Sequence, residues 1–401
     1  MNQSKTPNIA AALFLSCFMV VCLLVVVVGG GLYLWARQEG LNPVKAIQLR
    51  VSLARHNDEL NTPAGSDATY REFIIAAGDT ADAVANNLYR QALITNPNLF
   101  VDYVQYHRLD SQLDAGTYYL QQTLTIPEMA EAIAEGKTAL IPLQTIEGWR
   151  LEEIAETIDN TPALPFTGAD FIRLVRPDGS GAPIEIPADF KLWAGIPDVL
   201  YDGSQPSLEG FLFPARYDLN PGSTAIQLRD QMLQTFRTNV EPLYTQYLAQ
   251  TPADQQMTLF EMVTMAAIVE REAVQPEESP IIASLYLNRL RLPMKLDADP
   301  TVQYAIGYRD GRWWPRLTGQ NDYYALGVVQ EKPAYNTYLK QDTDPNLLPP
   351  GPIASPGLAA IRAVMQPAAT QYYYMFSCDG STHLFAMTLD EHNNNIAACQ
   401  Q

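Results

Sequence analysis

Residues 6–36 carry no charged side chain, and within them residues 9–35 are almost wholly apolar, with four consecutive valines at 25–28. Such a run matches the roughly 20 residues that span the hydrocarbon core of a bilayer. A secretory leader has a shorter apolar stretch, about 7–15 residues, ahead of a small-residue cleavage site. Tyr33 and Trp35 stand where aromatic side chains anchor a helix at headgroup level. The segment reads as one uncleaved transmembrane helix, so residues 1–37 are expected to form a cytoplasmic tip and anchor. Lys5 and the α-amine precede it; Arg37, Lys45, Arg50 and Arg55 follow it. Counted simply, these charges keep the following region inside, yet large domains translocate despite such charges.

The 401 residues suffice for two compact domains beside an anchor. A net charge of −18 argues against nucleic acid as a partner, because phosphate binding needs a basic patch and none is present. A neutral or mixed-charge polymer such as a glycan is compatible with this balance. Cys17 and Cys22 lie in the apolar run; Cys378 and Cys399 lie near the C-terminus and are either a disulfide formed outside the cell or two free thiols. No CxxC pair occurs, and His56, His107, His383 and His392 lack zinc-ligand spacing, so no metal or cofactor is expected. Phrases of the GxSxG, GxGxxG and P-loop kinds are also absent, against a serine hydrolase or a nucleotide enzyme.

Residues 38–66 are polar with helical spacing at Val44, Ile47 and Val51, and end in the turn-rich Asn61-Thr62-Pro63-Ala64-Gly65. They read as a juxtamembrane stalk. Residues 67–140 read as a small α/β unit: a strand at 73–75, a helix capped by Thr80, a second helix around Phe100 and Val104, a strand at 116–120, and a helix opened by Thr125 and stopped at Gly136. Its Gly116-Thr117-Tyr118 phrase resembles a LysM-like glycan-binding module, with a generic packing domain as the other reading. Residues 141–401 read as a larger α+β domain. Its helices are expected at about 151 onward, 223–250, 258–275, 280–292 and 358–366, with an inserted loop at 177–206 and irregular chain from about 293 to 357. The fold class is α+β.

One helix stands out. Thr258 and Glu261 form a capping box ahead of an almost continuously apolar run, which predicts burial on all sides. Glu270 lies four residues after Ala266 and seven after Val263, on an apolar face near the helix end. Desolvation there disfavours the charged form, and a carboxyl that keeps its proton near neutral pH is what cleavage at a glycosidic oxygen requires. Glu272, four after Ile268, is a weaker candidate for the same role. Against both stands the ordinary behaviour of carboxylates at a helix end, which emerge into water or pair with a neighbour such as Arg271.

These residues, taken with others in order along the chain, resemble the endolytic murein transglycosylase (MltG/YceG-like) family. The resemblance runs through Glu147-Gly148-Trp149, Leu208-Glu209-Gly210-Phe211-Leu212-Phe213-Pro214 and Ala267-Ile268-Val269-Glu270-Arg271-Glu272. It continues through Leu287-Asn288-Arg289-Leu290, Asp299-Pro300-Thr301-Val302, Tyr335-Asn336-Thr337-Tyr338 and Pro349-Pro350-Gly351-Pro352-Ile353, to Pro356-Gly357 and Glu391-His392-Asn393. The resemblance implies an extracytoplasmic, membrane-held bacterial lyase with a LysM-like subdomain. It implies cleavage of the β-1,4 bond between N-acetylmuramic acid and N-acetylglucosamine in nascent peptidoglycan strands, leaving 1,6-anhydromuramic ends, with Glu270 as acid and then base. Wall-synthesis and division machinery are the partners it implies.

Other residues receive roles by position. Tyr335, Asn336, Thr337 and Tyr338 offer hydroxyl and amide groups for sugar hydroxyls and N-acetyl groups, or form a turn that satisfies its own backbone. Glu209 is expected to hold the saccharide or support Glu270; Asn288 or Arg289 to orient the acid, with a structural ion pair as the other reading for Arg289. Asp297, Leu347 and Ser355 depart from the family's usual Gln, Gly and Asn, and residues 308–332 are distinctive, with Trp313 and Trp314 as packed core or sugar-stacking side chains. Two other functions fit the same residues: a non-catalytic wall-binding scaffold, against which the retained Glu270 argues, and a hydrolytic muramidase using Glu209 or Glu272 to activate water.

Overall fold

A computed structural model of the chain describes residues 42–136, 140–324 and 330–399. The expected anchor at residues 9–35 lies outside them, and among the described residues no helix is long and apolar enough to cross a membrane. The architecture is mixed helix and sheet, in two compact units divided between Leu140 and Ile141.

The smaller unit opens with α1 (Pro43–Arg55), started by the Asn42 side chain accepting from the Val44 N–H at 3.0 Å. It continues through β1 (Arg71–Ile75), α2 (Ala81–Arg90), α3 (Pro97–His107), β2 (Gly116–Leu120) and α4 (Ile126–Ala134). β1 and β2 pair antiparallel, Arg71 opposite Leu120, and their inward residues Phe73, Ile75, Tyr118 and Leu120 close the core over α2 and α3. The segment expected as a stalk carries α1, and α1 packs against α3. Its buried face is Ala46, Leu49 and Leu53, whereas Val44, Ile47 and Val51, which suggested the periodicity, are exposed. Leu49 and Leu53 reach the core, and Ser52 fixes the register by donating to Asp102 at 2.5 Å.

The larger unit begins with β3 (Ile141–Gln144), α5 (Leu151–Asp159), α6 (Gly168–Val175), α7 (Ala188–Ala194) and β4 (Arg216–Leu219). β3 and β4 pair antiparallel, Ile141 opposite Leu219. There follow α8 (Ala225–Gln250), α9 (Leu259–Glu272), α10 (Ser279–Arg291), α11 (Asp299–Ile306), α12 (Gln320–Tyr324) and α13 (Leu358–Met365). The hairpin β5 (Tyr374–Phe376) and β6 (Leu384–Ala386) and the helix α14 (Leu389–Cys399) complete the described chain.

Two expectations need correction. The stretch at 177–206 is not all loop: α7 sits in it, because Phe190 and Ala194 bury against the core and Phe190 meets Phe211 and Phe236 edge to face. The region from 293 to 357 also contains α11, opened by Pro300 in its first turn. Cys378 and Cys399, left open by the sequence, form a disulfide that ties α14 to the β5–β6 connection.

α9 is the axis of this unit. Every side chain at 262–269 is buried, and α10, α11 and α13 pack around it. Its start is the expected capping box: Glu261 N–H donates to Thr258 Oγ1 at 3.2 Å, and Thr258 N–H donates to Glu261 Oε2 at 2.8 Å. Thr258→Ala is expected to lower unfolding stability by about 1 kcal/mol. Urea unfolding followed by tryptophan fluorescence measures it, since Trp149, Trp193, Trp313 and Trp314 all belong to this unit.

Candidate active site

Where α9 leaves the core, Glu270 is half-buried. Its Oε2 accepts the Gly357 N–H at 3.0 Å. Gly357 is the N-cap of α13, so the positive end of that helix faces the carboxyl. The segment before Gly357 is fixed by pairing with the chain entering α5: Gly148 N–H donates to Ser355 O and Ser355 N–H to Trp149 O, each at 2.8 Å.

This pairing brings a second carboxylate to the same place. A Cβ on Gly357 would fall 2.1 Å from Cδ of Glu147, so the exposed Glu147 lies directly against the glycine. Glu147 and Glu270 therefore flank Gly357, one on the open side and one at the core edge. Gly148, at φ +78°, packs beside Glu270 as well: a Cβ there would be 3.6 Å from Glu270 Cγ and 3.1 Å from Arg271 Nη1. Burial pushes the Glu270 carboxyl above the ordinary carboxylate range; the Gly357 N–H and Arg271 oppose this, and the charge of Glu147 adds to it. The shift favours the protonated form relative to an ordinary exposed carboxyl.

The adjacent Arg271 lays its guanidinium over the Trp314 ring, 4.0 Å from the centroid. Trp314 donates its indole N–H to Glu153 at 3.0 Å, and Trp313 donates to Glu156 at 2.7 Å. Both tryptophans thus bind the face of α5, and Arg150 stacks behind them, 4.3 Å from the Tyr304 ring and 5.1 Å from that of Trp313.

The remaining sequence-derived candidates are dispersed. Glu209 is 2 % exposed and accepts from Leu151 N–H and Tyr304 Oη, both at 3.2 Å. It completes the N-terminus of α5, away from solvent. Burial, with the charge of Glu152 adding, pushes its carboxyl up to about 8. Asn336 and Thr337 are fully buried: Asn336 caps its own turn through Tyr338 N–H at 2.9 Å, and Thr337 Oγ1 accepts from Ala298 N–H at 2.9 Å. Of the two readings of that loop, these bonds match the self-satisfying turn. Asn288 donates to Thr370 O and Tyr372 O, and Arg289 to Tyr373 O and Leu296 O, so both fasten α10 to neighbouring chain. Arg289 also approaches the carboxylate of Asp297 at 3.7 Å.

Two tyrosines line cavities. Tyr335 tilts against Tyr304, with ring centroids 4.8 Å apart, and faces a cavity of about 760 Å³ with Lys332 and Arg176. Tyr338 donates to Asp299 at 2.9 Å in a second cavity, about 410 Å³, shared with Arg289 and Glu272. Glu272 accepts from Tyr286 Oη at 2.7 Å, and burial pushes it up to about 7. It thus projects into different surroundings from Glu270. Among the described residues no group of three His, Cys, Asp or Glu side chains is placed to hold a metal. Glu147 was read in the sequence only as part of a motif; its place beside Gly357 depends on pairing across some 200 residues, which no local pattern reports.

Fold and site together define an α+β protein with a half-buried carboxyl, Glu270, at the exit of a buried helix. The chain belongs to the YceG-like family, whose model matches residues 73–398. It is 27% identical over 349 residues to the endolytic murein transglycosylase of Streptococcus pneumoniae, covering 82% of this chain and 59% of that protein. To the endolytic murein transglycosylase of Bacillus subtilis it is 28% identical over 322 residues, covering 80% of this chain and 82% of that protein. The chain thus spans about three fifths (59%) of the length of the pneumococcal relative. A crystal structure of a YceG-like protein from Listeria monocytogenes superposes with a TM-score of 0.50 at 28% identity, covering 82% of this chain and 100% of that one.

Glu209 carries a consequence for stability. An acid whose folded pKa is raised binds its proton more tightly folded than unfolded, so stability is fullest at low pH and declines as pH rises from the ordinary carboxylate value through about 8. Glu209→Gln is expected to flatten that decline by up to roughly 1.4 kcal/mol per pH unit, measured by urea unfolding between pH 5 and 8.

Proposed function

We propose that the chain is a membrane-anchored endolytic murein transglycosylase, cutting the β-1,4 bond between N-acetylmuramic acid and N-acetylglucosamine to leave 1,6-anhydromuramic ends. The observation that carries this reading is Glu270: a half-buried carboxyl whose pKa burial raises, set across Gly357 from the exposed carboxylate of Glu147. The names of the pneumococcal and Bacillus relatives supply the substrate and the reaction.

The chemistry follows from one dominant acid. Glu270 gives its proton to the glycosidic oxygen as the bond to the muramyl C1 breaks, and the electron pair leaves with that oxygen. The carboxylate so formed takes the proton of the muramyl C6 hydroxyl as that oxygen attacks C1. The ring closes without water and Glu270 is again protonated. No cofactor enters. Gly357 orients the acid through its N–H, and its lack of a side chain leaves room for Glu147.

In this reading residues 9–35 anchor the chain in the plasma membrane with both compact units outside. The smaller unit serves as the LysM-like module, a role supported by its strand–helix–helix–strand order and its Gly116-Thr117-Tyr118 phrase. Tyr335 and Tyr338, at cavity walls, are the retained candidates for sugar contact; wall-synthesis and division machinery are the proposed partners. One observation gives a second reading, a hydrolytic muramidase, some support: Glu147 is a second carboxylate near the acid, as water activation requires.

The detergent-solubilised chain is tested on purified peptidoglycan, with products read by mass spectrometry. Fragments with anhydro ends, one water lighter than reducing ends, are expected, and Glu270→Gln is expected to lower their rate by about 10²–10⁴-fold. Reducing ends would establish the muramidase, and an unimpaired Glu270→Gln would remove Glu270 from the mechanism.

A further inference from the structure

We propose that Glu147 is the second catalytic carboxylate of the centre, a group across Gly357 from Glu270 that faces the positive charge developing at the cleaved muramyl carbon. The inference deepens the transglycosylase reading and rests on it.

The geometry comes first. The carboxyl of Glu147 reaches the place where a Gly357 side chain would begin, 2.1 Å from the Cβ position, while the N–H of the same glycine holds Glu270 at 3.0 Å. With ordinary backbone dimensions, these contacts put the two carboxyl groups no more than about 8 Å apart. Carboxylate pairs that share one glycosidic bond stand about 5–9.5 Å apart. The position is also fixed: Glu147 precedes Gly148 and Trp149, whose backbone groups pair with Ser355 in both directions. Other carboxylates nearby are already engaged. Glu153 accepts from Trp314, Glu272 from Tyr286 and Glu209 from Tyr304. Glu147 is exposed on the open side of the acid.

The chemistry gives an exposed carboxylate there two tasks. As the C1–oxygen bond breaks, positive charge builds on the ring carbon and ring oxygen, and a fixed negative charge stabilises it. Before that step, the same negative charge favours the neutral form of Glu270. Glu147 itself neither gains nor loses a proton or a bond: the proton passes from Glu270 to the departing oxygen and returns from the C6 hydroxyl. The charged groups facing Glu270 are Glu147 from the chain before α5 and Arg271 on its own helix, with the N-terminus of α13 as a fixed dipole; Glu153 and Trp314 reach it through Arg271.

Glu147→Gln keeps the shape and removes the charge. The full chain carrying it is compared with wild type and with Glu147→Asp for kcat and KM between pH 4 and 9, counting anhydro ends, with melting temperature as a check on folding. For Glu147→Gln a loss of about 10²-fold in kcat with little change in KM is expected. Removing the negative charge lets Glu270 lose its proton sooner, so the alkaline limb of the profile is expected to move about one unit to lower pH. Glu147→Asp is expected to recover part of the rate and to restore the limb. A Glu147→Gln rate within threefold of wild type at every pH overturns the inference. So does a loss with an unmoved alkaline limb, or one that tracks a fall in melting temperature, because a structural role produces either. If wild type itself yields no anhydro ends, the transglycosylase reading fails first and this inference with it.

Discussion

The burial of α9 on every side is the constraint to which the rest of the larger unit answers. A helix with eight consecutive buried side chains, at 262–269, has no solvent face, so its neighbours must close around it completely. Ala266 and Ala267 on α9, and Ala360 and Ala363 on α13, are small enough for these two helices to approach closely. That approach brings the N-terminus of α13 to the end of α9, where the first side chain to leave the core is Glu270. The position of Glu270 is therefore a by-product of packing: the core ends there, and a helix terminus is waiting.

The same unit shows how charge is tolerated deeper inside. Arg150 is fully buried, yet Glu152 accepts from its Nε at 3.1 Å and Arg176 pairs with the other side of Glu152. Glu209, Tyr304 and Lys332 continue the cluster, Lys332 donating to Tyr304 Oη at 2.9 Å. Burying charges is costly unless they are matched, and here each group has a hydrogen-bond partner inside the cluster. The contrast with Glu270 is chemical: Glu209 spends both oxygens on internal bonds, whereas among the described residues Glu270 accepts one backbone hydrogen bond and is half-buried.

Much of this was legible in the sequence. The capping box at Thr258, the apolar run behind it and the placement of Glu270 on that run are local patterns, and local patterns survive folding. α11 and α7 were obscured because Pro300 and the Gly/Pro-rich surroundings of Phe190 resemble loop, and tertiary burial decided otherwise. The face of α1 was misassigned because valines and isoleucine at helical spacing look like a core stripe, yet Leu49 and Leu53 fill the space that α3 offers. Asn336 and Thr337 carry polar groups suited equally to a sugar and to a turn, and only their complete burial separates the two. Glu147 depended on a pairing between residues 148–149 and 355 that no periodicity encodes.

The disulfide between Cys378 and Cys399 has a practical meaning for α14. That helix has no fully buried residue; it rests on the β5–β6 hairpin, with His392 stacked on Tyr374 and Ile396 half-buried. Held by one covalent tie more than by a core, it is the part of the unit whose order follows the redox state of its surroundings. A preparation made in a reducing cytoplasm, or kept in thiol, would carry Glu270 and its core intact while releasing the C-terminal helix. Two samples of one polypeptide, equal in mass but for two hydrogens, would then differ in how they resist proteases at that end.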